Sequence, residues 1–260
     1  MESFPIPSHG EAMNALMYIA AGAGPHPTVI LLHGFPGNER NLDLAQAMRR
    51  AGWDVLYFNY RGSWGTPGDF SFTHCTEDVA SALAYLRDPA NAAKLRVDAK
   101  HLVLIGHSMG GFMTEYGTAH DDGVMAFGLI SAANFGSMAA GMVQSDGENR
   151  AVTHLAAALA REGMAPLHGT TPESLAQESV AHRAEWSNET LAKMAAKRPA
   201  LIVSSDDGLA GLSKTFADAL RKHGDTQVTE VHLATDHAYS DQRIALETAV
   251  LDWLATLPVH

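Results

Sequence analysis

The chain has one cysteine, few basic residues and no long hydrophobic run. Cys75 has no second cysteine to pair with among the 260 residues, so an intrachain disulfide is excluded. Lysine and arginine number 18 against 29 aspartates and glutamates, which gives a formal net charge of −11. An acidic surface repels phosphate backbones and anionic lipids, so neither a nucleic acid nor a membrane is an expected partner. No apolar run approaches the roughly 20 residues that a membrane-spanning helix needs.

Other signals are missing as well. The first five residues, Met1-Glu2-Ser3-Phe4-Pro5, have neither the basic start nor the apolar core of a secretory signal, and a cytoplasmic location is expected. The histidines are scattered, without a His-Glu-x-x-His motif, so no metal site is predicted. No Gly-x-Gly-x-x-Gly follows a strand, so no dinucleotide cofactor is predicted. The sequence makes no prediction of the oligomeric state.

Short apolar runs alternate with amphipathic stretches over most of the chain. This alternation predicts an α/β fold, with a mostly parallel central sheet and helices on both faces. Strands are predicted at residues 28–32, 53–58, 102–105, 124–130, 200–203 and 229–233, and helices at 41–51, 77–86, 111–119, 213–223 and 241–254. Alternating side chains at residues 12–18 predict an antiparallel hairpin at the edge of the sheet.

The alternation breaks between residues 134 and 198. This segment is rich in alanine and methionine and has helical patches but no clear strand. We therefore predict a core of residues 1–133 and 199–260, interrupted by a small helical cap insertion at 134–198. The insertion is expected over the carboxyl edge of the sheet, where open α/β sheets bind ligands.

A predicted strand ends abruptly in Gly106-His107-Ser108-Met109-Gly110-Gly111, and helix-compatible sequence follows. This strand–turn–helix context holds a serine on a sharp turn with its hydroxyl exposed. Glycines at the two ends of the turn let the strand and the helix approach closely. Ser108 is therefore the predicted nucleophile.

A serine hydroxyl needs a general base, and the base needs an orienting acid. His237 follows the last predicted strand in a loop, so it is the predicted base. Asp206 and Asp207 both follow the preceding strand. Adjacent side chains point in different directions, so only one of them can reach the imidazole. We favour Asp207, since it lies further beyond the strand end, and leave Asp206 as the alternative.

Backbone N–H groups must stabilise the oxyanion of a tetrahedral intermediate. Met109 begins the helix after the serine, so its N–H is one predicted donor. The second is expected from the loop His33-Gly34-Phe35-Pro36-Gly37, in which Phe35 has an N–H and Pro36 has none. Large apolar residues in this loop and in the insertion are candidates for the substrate pocket. These candidates are Phe35, Phe135, Met138, Met142 and Trp186.

Together these motifs resemble the α/β-hydrolase superfamily over nearly the whole chain outside the insertion. The Tyr60-Arg61-Gly62 turn and the serine motif are similar to those of dienelactone-hydrolase-like and prolyl-oligopeptidase-like members. Dienelactone hydrolases proper have cysteine at the position of Ser108, and the peptidases have an N-terminal propeller that this chain lacks. The Asp207-Gly208-Leu209 loop resembles the acid loop of esterase members, which supports Asp207. The resemblance implies hydrolysis through an acyl-enzyme.

The predicted function is a serine esterase that cleaves small-molecule carboxylic esters without a cofactor. Three alternatives stay open at the level of the sequence. An amide- or peptide-cleaving hydrolase would use the same histidine to protonate the leaving amine. An acyltransferase would pass the acyl group to an alcohol in place of water. A catalytically silent binding protein would keep the fold as a ligand receptor.

Overall fold

The computed structural model describes residues 1–259, and its central feature is an eight-stranded sheet. The strands are β1 (Glu2–Ser8), β2 (Glu11–Tyr18), β3 (His26–Leu32), β4 (Asp54–Phe58), β5 (Val97–His107), β6 (Val124–Ile130), β7 (Ala200–Ser205) and β8 (Val228–Leu233). Their order across the sheet is β1-β2-β4-β3-β5-β6-β7-β8. The β1–β2 and β2–β4 pairs are antiparallel, and the pairs from β4 to β8 are parallel. The predicted edge hairpin is thus the β1–β2 pair.

Helices cover both faces of this sheet. They are α1 (Leu42–Arg50), α2 (Phe72–Arg87), α3 (Pro89–Leu95), α4 (Met109–His120), α5 (Phe135–Asp146), α6 (Glu148–Arg161), α7 (Pro172–Ala181), α8 (Asn188–Ala195), α9 (Ala210–Lys222) and α10 (Arg243–Leu254). Successive residues of a strand point to opposite faces of the sheet, so alternate residues belong to two different hydrophobic clusters. Ile30 and Leu104 join one cluster, and Val29 and Val103 join the other. Burial on both faces explains why the central strands are continuously apolar, and the predicted fold class is confirmed.

The predicted elements differ from the observed ones mainly at their ends. Helix α2 begins at Phe72, five residues before the predicted start, because the Ser71 hydroxyl caps it by accepting the His74 N–H. Strand β5 begins at Val97, in a polar stretch that apolar periodicity does not mark. Helix α3 was not predicted, although Asp88 caps it and Pro89 occupies its first turn.

Helices α5–α8 lie between β6 and β7, within the segment predicted as an insertion. The Glu178 carboxylate of α7 accepts the N–H groups of Phe72 and Thr73, at 2.9 and 2.8 Å, in the first turn of α2. A carboxylate is favourable there because helix N-termini carry partial positive charge and unpaired N–H groups. An isolated antiparallel bridge joins Leu167 to Ser63, although no extended pairing was predicted in this segment. These contacts connect the segment of residues 134–198 to residues 63–73. Over residues 1–259, the helices are too short or too polar to cross a membrane.

Candidate active site

Ser108 lies on a tight turn between β5 and α4. Its backbone has φ 57° and ψ −121°, a conformation that is costly for a residue with a side chain. A Cβ at Gly106 would overlap the backbone of Gly110, and a Cβ at Gly110 would overlap the carbonyl group of Leu32. Only glycine fits at these two positions, and their close approach is what turns the Ser108 side chain out at the carboxyl edge of the sheet.

Asp207 and His237 form a hydrogen-bonded pair at the same edge. Asp207 follows β7, His237 follows β8, and His237 Nδ1 lies 2.7 Å from Asp207 Oδ2. The other carboxylate oxygen accepts the Leu209 N–H at 2.8 Å. Burial raises the pKa of Asp207, but hydrogen bonds from His237 and Leu209 outweigh it and hold the pKa well below its ordinary value. The Asp207 side chain is 3 % exposed, so a buried carboxylate anion is held next to Nδ1 of the imidazole.

Asp206 points elsewhere. Its Oδ1 atom lies 3.2 Å from His232 Nε2, and its side chain is 66 % exposed. Asp206 and Asp207 both lie in the turn after β7, yet their side chains reach different histidines. Of the two candidate acids, the one that contacts His237 is Asp207.

Three buried residues outside the predicted set support this pair. His107 Nε2 lies 2.8 Å from the carbonyl oxygen of His237. Burial lowers the pKa of His107 to about 4, so the ring is neutral and can donate to that carbonyl. The Tyr239 hydroxyl lies 2.8 Å from Ser131 Oγ, and the Ser131 hydroxyl also favours ionised Asp207. Tyr239 is two residues beyond His237, and His107 adjoins Ser108. This closeness in sequence was the one available signal, because no sequence motif predicts the hydrogen bonds that these two residues make.

The loop after β3 lies against Ser108. A Cβ at Gly34 would be 3.0 Å from Ser108 Cβ and 3.5 Å from Ser108 Oγ, so the chain just before Phe35 closely approaches the hydroxyl. Met109 is the first residue of α4, where N–H groups have no partner within the helix. Within residues 1–259, neither Phe35 nor Met109 donates a backbone hydrogen bond. Both N–H groups are therefore without a hydrogen-bond acceptor among the described residues.

The structure brings most of the predicted site residues to one cavity of about 420 Å³, which we call the Ser108 cavity. Its lining comprises Phe35, Ser108, Ala133, Phe135, Met138, Leu155, Ala158, Leu159, Glu162, Asp207, Leu209 and His237. Met142 and Trp186, both within the described chain, lie outside this lining. The Trp186 ring packs instead 5.2 Å from that of Phe112, and its backbone abuts Gly136. Burial against α4 is what keeps Trp186 from the cavity.

Ser108 and His237 share this cavity without a hydrogen bond between their side chains in the described chain. Serine–histidine bonds of this kind are often long or misaligned before substrate binds and tighten in the reacting complex. Residues 1–259 contain no cluster of three or more histidine, cysteine or acidic side chains that could hold a metal ion. The polar side chains that line the cavity are a serine hydroxyl, an imidazole and the carboxylates of Asp207 and Glu162.

The sheet is mostly parallel and has helices on both faces, and Ser108 lies on a strained turn after β5. The Asp207–His237 pair follows β7 and β8. This arrangement defines an α/β hydrolase architecture. The chain belongs to the alpha/beta hydrolase family, whose family model matches residues 29–249. It is therefore a hydrolase by family.

Several solved structures have this fold. A thermostable carboxyl esterase from Bacillus coagulans, in complex with glycerol, superposes with a TM-score of 0.72 at 16 % identity, covering 98 % of this chain and 97 % of that one. Est1E from Butyrivibrio proteoclasticus, with ferulic acid bound, gives 0.70 at 18 % identity, covering 97 % and 98 %. The carboxylesterase EstE1 from a metagenomic library gives 0.70 at 19 % identity, covering 98 % and 88 %. At these identities the likeness concerns the fold alone.

Proposed function

We propose that this protein hydrolyses carboxylic esters through an acyl-enzyme on Ser108. His237 acts as the general base, Asp207 orients and stabilises its imidazolium form, and the N–H groups of Phe35 and Met109 bind the oxyanion. The observation that carries the proposal is the 2.7 Å pair between Asp207 and His237, at the cavity that Ser108 also lines.

Each group has one step in the proposed mechanism. With its Nδ1–H donated to Asp207, His237 has Nε2 free to take the Ser108 proton as Oγ attacks the ester carbonyl carbon. The carbonyl oxygen becomes an anion beside the backbone donors of the 33–37 loop and α4. The tetrahedral intermediate collapses as Nε2–H protonates the departing alcohol. Water then repeats the sequence, forms the free acid and restores Ser108.

The cavity supports a neutral, apolar acyl group as the substrate portion bound beside Ser108. Phe35, Phe135 and Met138 line it together with aliphatic side chains of α6. Its volume of about 420 Å³ is in the range of small-molecule sites. Its lining includes two acids, Glu162 and Asp207, and neither a lysine nor an arginine, so an anionic acyl chain would be repelled. Est1E binds ferulic acid, and the two phenylalanines here make an aromatic acyl group worth testing.

The test is a panel of p-nitrophenyl esters from acetyl to dodecanoyl, with methyl ferulate, assayed on the wild type and on Ser108→Ala. We expect turnover of neutral esters and a loss of at least about a thousandfold in kcat for Ser108→Ala. A fluorophosphonate probe should label the wild type at Ser108 and leave Ser108→Ala unlabelled. Near-wild-type turnover by folded Ser108→Ala would refute the assignment.

The same panel separates the other activities. Faster cleavage of aminoacyl anilides than of the matched esters would indicate an amide hydrolase. Acyl transfer to an added alcohol in preference to water would indicate an acyltransferase. A wild-type protein that neither turns over esters nor reacts with the probe would be a binding protein with an inactive site.

A further inference from the structure

Trp64 has a backbone conformation that is rare for an aromatic residue. Its φ is 49°, in the left-handed region where a side chain crowds the backbone. The turn around it depends on Gly62, since a Cβ there would lie 2.6 Å from the carbonyl carbon of Asp69. Bulky residues persist in such conformations only when their surroundings hold them, and they cluster near functional sites. The contacts that hold Trp64 in this conformation therefore indicate which part of the site it stabilises.

Trp64 is hydrogen-bonded to two separate parts of the protein. Its backbone N–H donates to the Pro166 carbonyl, at 3.0 Å, in the segment between α6 and α7. Its indole Nε1–H donates to the Pro36 carbonyl, at 2.7 Å, in the 33–37 loop. The His168 N–H donates to the Gly62 carbonyl at 2.8 Å, which strengthens the first attachment. Trp64 thus links the segment over the sheet to the loop that carries Phe35.

The indole also fixes the loop sterically. A Cβ at Gly37 would lie 2.6 Å from Trp64 Nε1 and 2.8 Å from His33 Nδ1, so the loop is confined between these two rings. The Arg40 guanidinium lies 4.3 Å from the centre of the Trp64 ring, and Arg40 Nε donates to the Gly37 carbonyl at 3.3 Å. The Pro36 and Gly37 carbonyl groups, which belong to the second and third peptide groups after the one with the Phe35 N–H, are thus both hydrogen-bonded.

We propose that Trp64 is a positioning residue that holds the Phe35 N–H in place to stabilise the oxyanion formed at Ser108. Its indole binds the Pro36 carbonyl, while its own backbone is held by the hydrogen bond to the Pro166 carbonyl. This inference rests on the proposed function, since it assumes that Ser108 reacts and that Phe35 supplies an oxyanion donor. Donors of this kind stabilise a transition state only when they are fixed in advance, and a displacement of about 1 Å can cost about a hundredfold in rate.

The test compares Trp64→Phe with Trp253→Phe, the same change at a tryptophan that is buried in the cluster of Val29 and Val103 and does not line the Ser108 cavity. Both variants react with a small fluorophosphonate at several concentrations. In this reaction a bond forms from Ser108 Oγ to phosphorus, fluoride leaves, and His237 takes the hydroxyl proton. The phosphoryl oxygen gains negative charge where the ester oxyanion would lie, so the probe reports on the oxyanion donors without a known substrate.

We expect the maximal labelling rate of Trp64→Phe to fall about tenfold, less than for deletion of a donor. The probe concentration at half-maximal rate should stay within about twofold, because binding in the cavity is unchanged. Trp253→Phe should label at nearly the wild-type rate. A residue with a purely structural role would lower the melting temperature without changing the labelling rate of the folded fraction.

Each outcome bears on one proposal. If the wild type labels at Ser108 and Trp64→Phe labels equally fast, the positioning role is wrong and the proposed function stands. If the wild type does not label, the proposed function fails and the positioning role with it. If Trp64→Phe does not fold, Trp64→Asn replaces it, because asparagine tolerates a positive φ and also lacks the indole Nε1–H that binds the Pro36 carbonyl. An unchanged maximal rate in Trp64→Asn would then overturn the inference, and a fall of about tenfold would support it.

Discussion

The Asp207 carboxylate lies 2.7 Å from His237 Nδ1, while its neighbour Asp206 lies 3.2 Å from the imidazole of His232. Two adjacent aspartates thus contact two different histidines. The first pair has a nearly inaccessible carboxylate, and the second is largely exposed to solvent. A buried carboxylate can hold an imidazole in one orientation and one tautomer, whereas an exposed ion pair is weak.

We predict that Asp207→Asn lowers kcat for a neutral ester about a thousandfold to ten-thousandfold, because an amide can no longer stabilise the imidazolium form of His237. Asp206→Asn, the matched control, should stay within about threefold of the wild type. Steady-state kinetics with a saturating p-nitrophenyl ester measures both. The reverse ranking of the two variants would transfer the orienting role to Asp206.

Glu162 provides a second prediction, on substrate charge. Leu155, Leu159 and Glu162 are three and four residues apart, at and just beyond α6, and all line the Ser108 cavity. This spacing puts them on one helical face, with the carboxylate at the end of an apolar wall. For acyl chains of equal length, the wild type should prefer a terminal trimethylammonium over a terminal carboxylate. Glu162→Lys should shift that kcat/KM ratio by about fivefold toward the anionic ester.

The control for this prediction is Glu173→Lys, which makes the same charge change on the exposed first turn of α7, away from the cavity. It should leave the ratio within about twofold of the wild type, and the Glu162→Lys effect should shrink as salt is added. An equal shift in both variants would attribute the preference to net charge and not to Glu162.

A third prediction concerns stability and pH. Glu115 on α4 is buried, and Asn134 Nδ2 donates to its carboxyl group at 2.6 Å. Burial raises the pKa of Glu115 from its ordinary value of 4.5 to about 8. Between these pH values the folded protein keeps a proton that the unfolded chain has released. The free energy of unfolding should therefore fall as the pH rises through this window.

The range from pH 7 to 8 isolates this group. The buried His33 and His107 have pKa values lowered to about 4 by burial, so their opposite effect is complete near the ordinary histidine pKa of 6.5. We predict a loss of about 1 kcal/mol for the wild type between pH 7 and 8, measured by urea unfolding. Glu115→Gln keeps an acceptor for Asn134 and should abolish this loss. An identical pH dependence in both proteins would show that Glu115 is not the titrating group.

Much of the architecture was predictable from the sequence because it depends on local periodicity. The continuous apolar runs became the parallel strands β3 to β8, and five of the amphipathic stretches became helices. Element ends were less predictable. The Ser71 cap extends α2 at its start, and the polar start of β5 pairs with β3 only through the tertiary fold. Such extensions depend on single hydrogen bonds or on a partner strand, which no window of sequence contains.

The candidate site divides in the same way. Ser108 and His237 are marked by motif and order, and Phe35 and Met109 follow from the elements that they adjoin. Trp64 and His107 contact the site only because segments distant in sequence meet there. Met142 and Trp186 are apolar residues of the predicted insertion, but neither lines the Ser108 cavity. Trp186 packs instead against Phe112 of α4, a contact that the sequence does not predict.

The sequence by itself determined which groups are available and in what order they occur, since strand periodicity and a glycine-flanked serine are local properties. Only the tertiary structure decided which aspartate contacts His237, which apolar residues line the cavity, and that Trp64 joins two loops. Those outcomes depend on side-chain direction at strand ends and on packing between distant segments. Side-chain direction and packing of this kind depend on residues far apart in the sequence, which come together only in the folded chain.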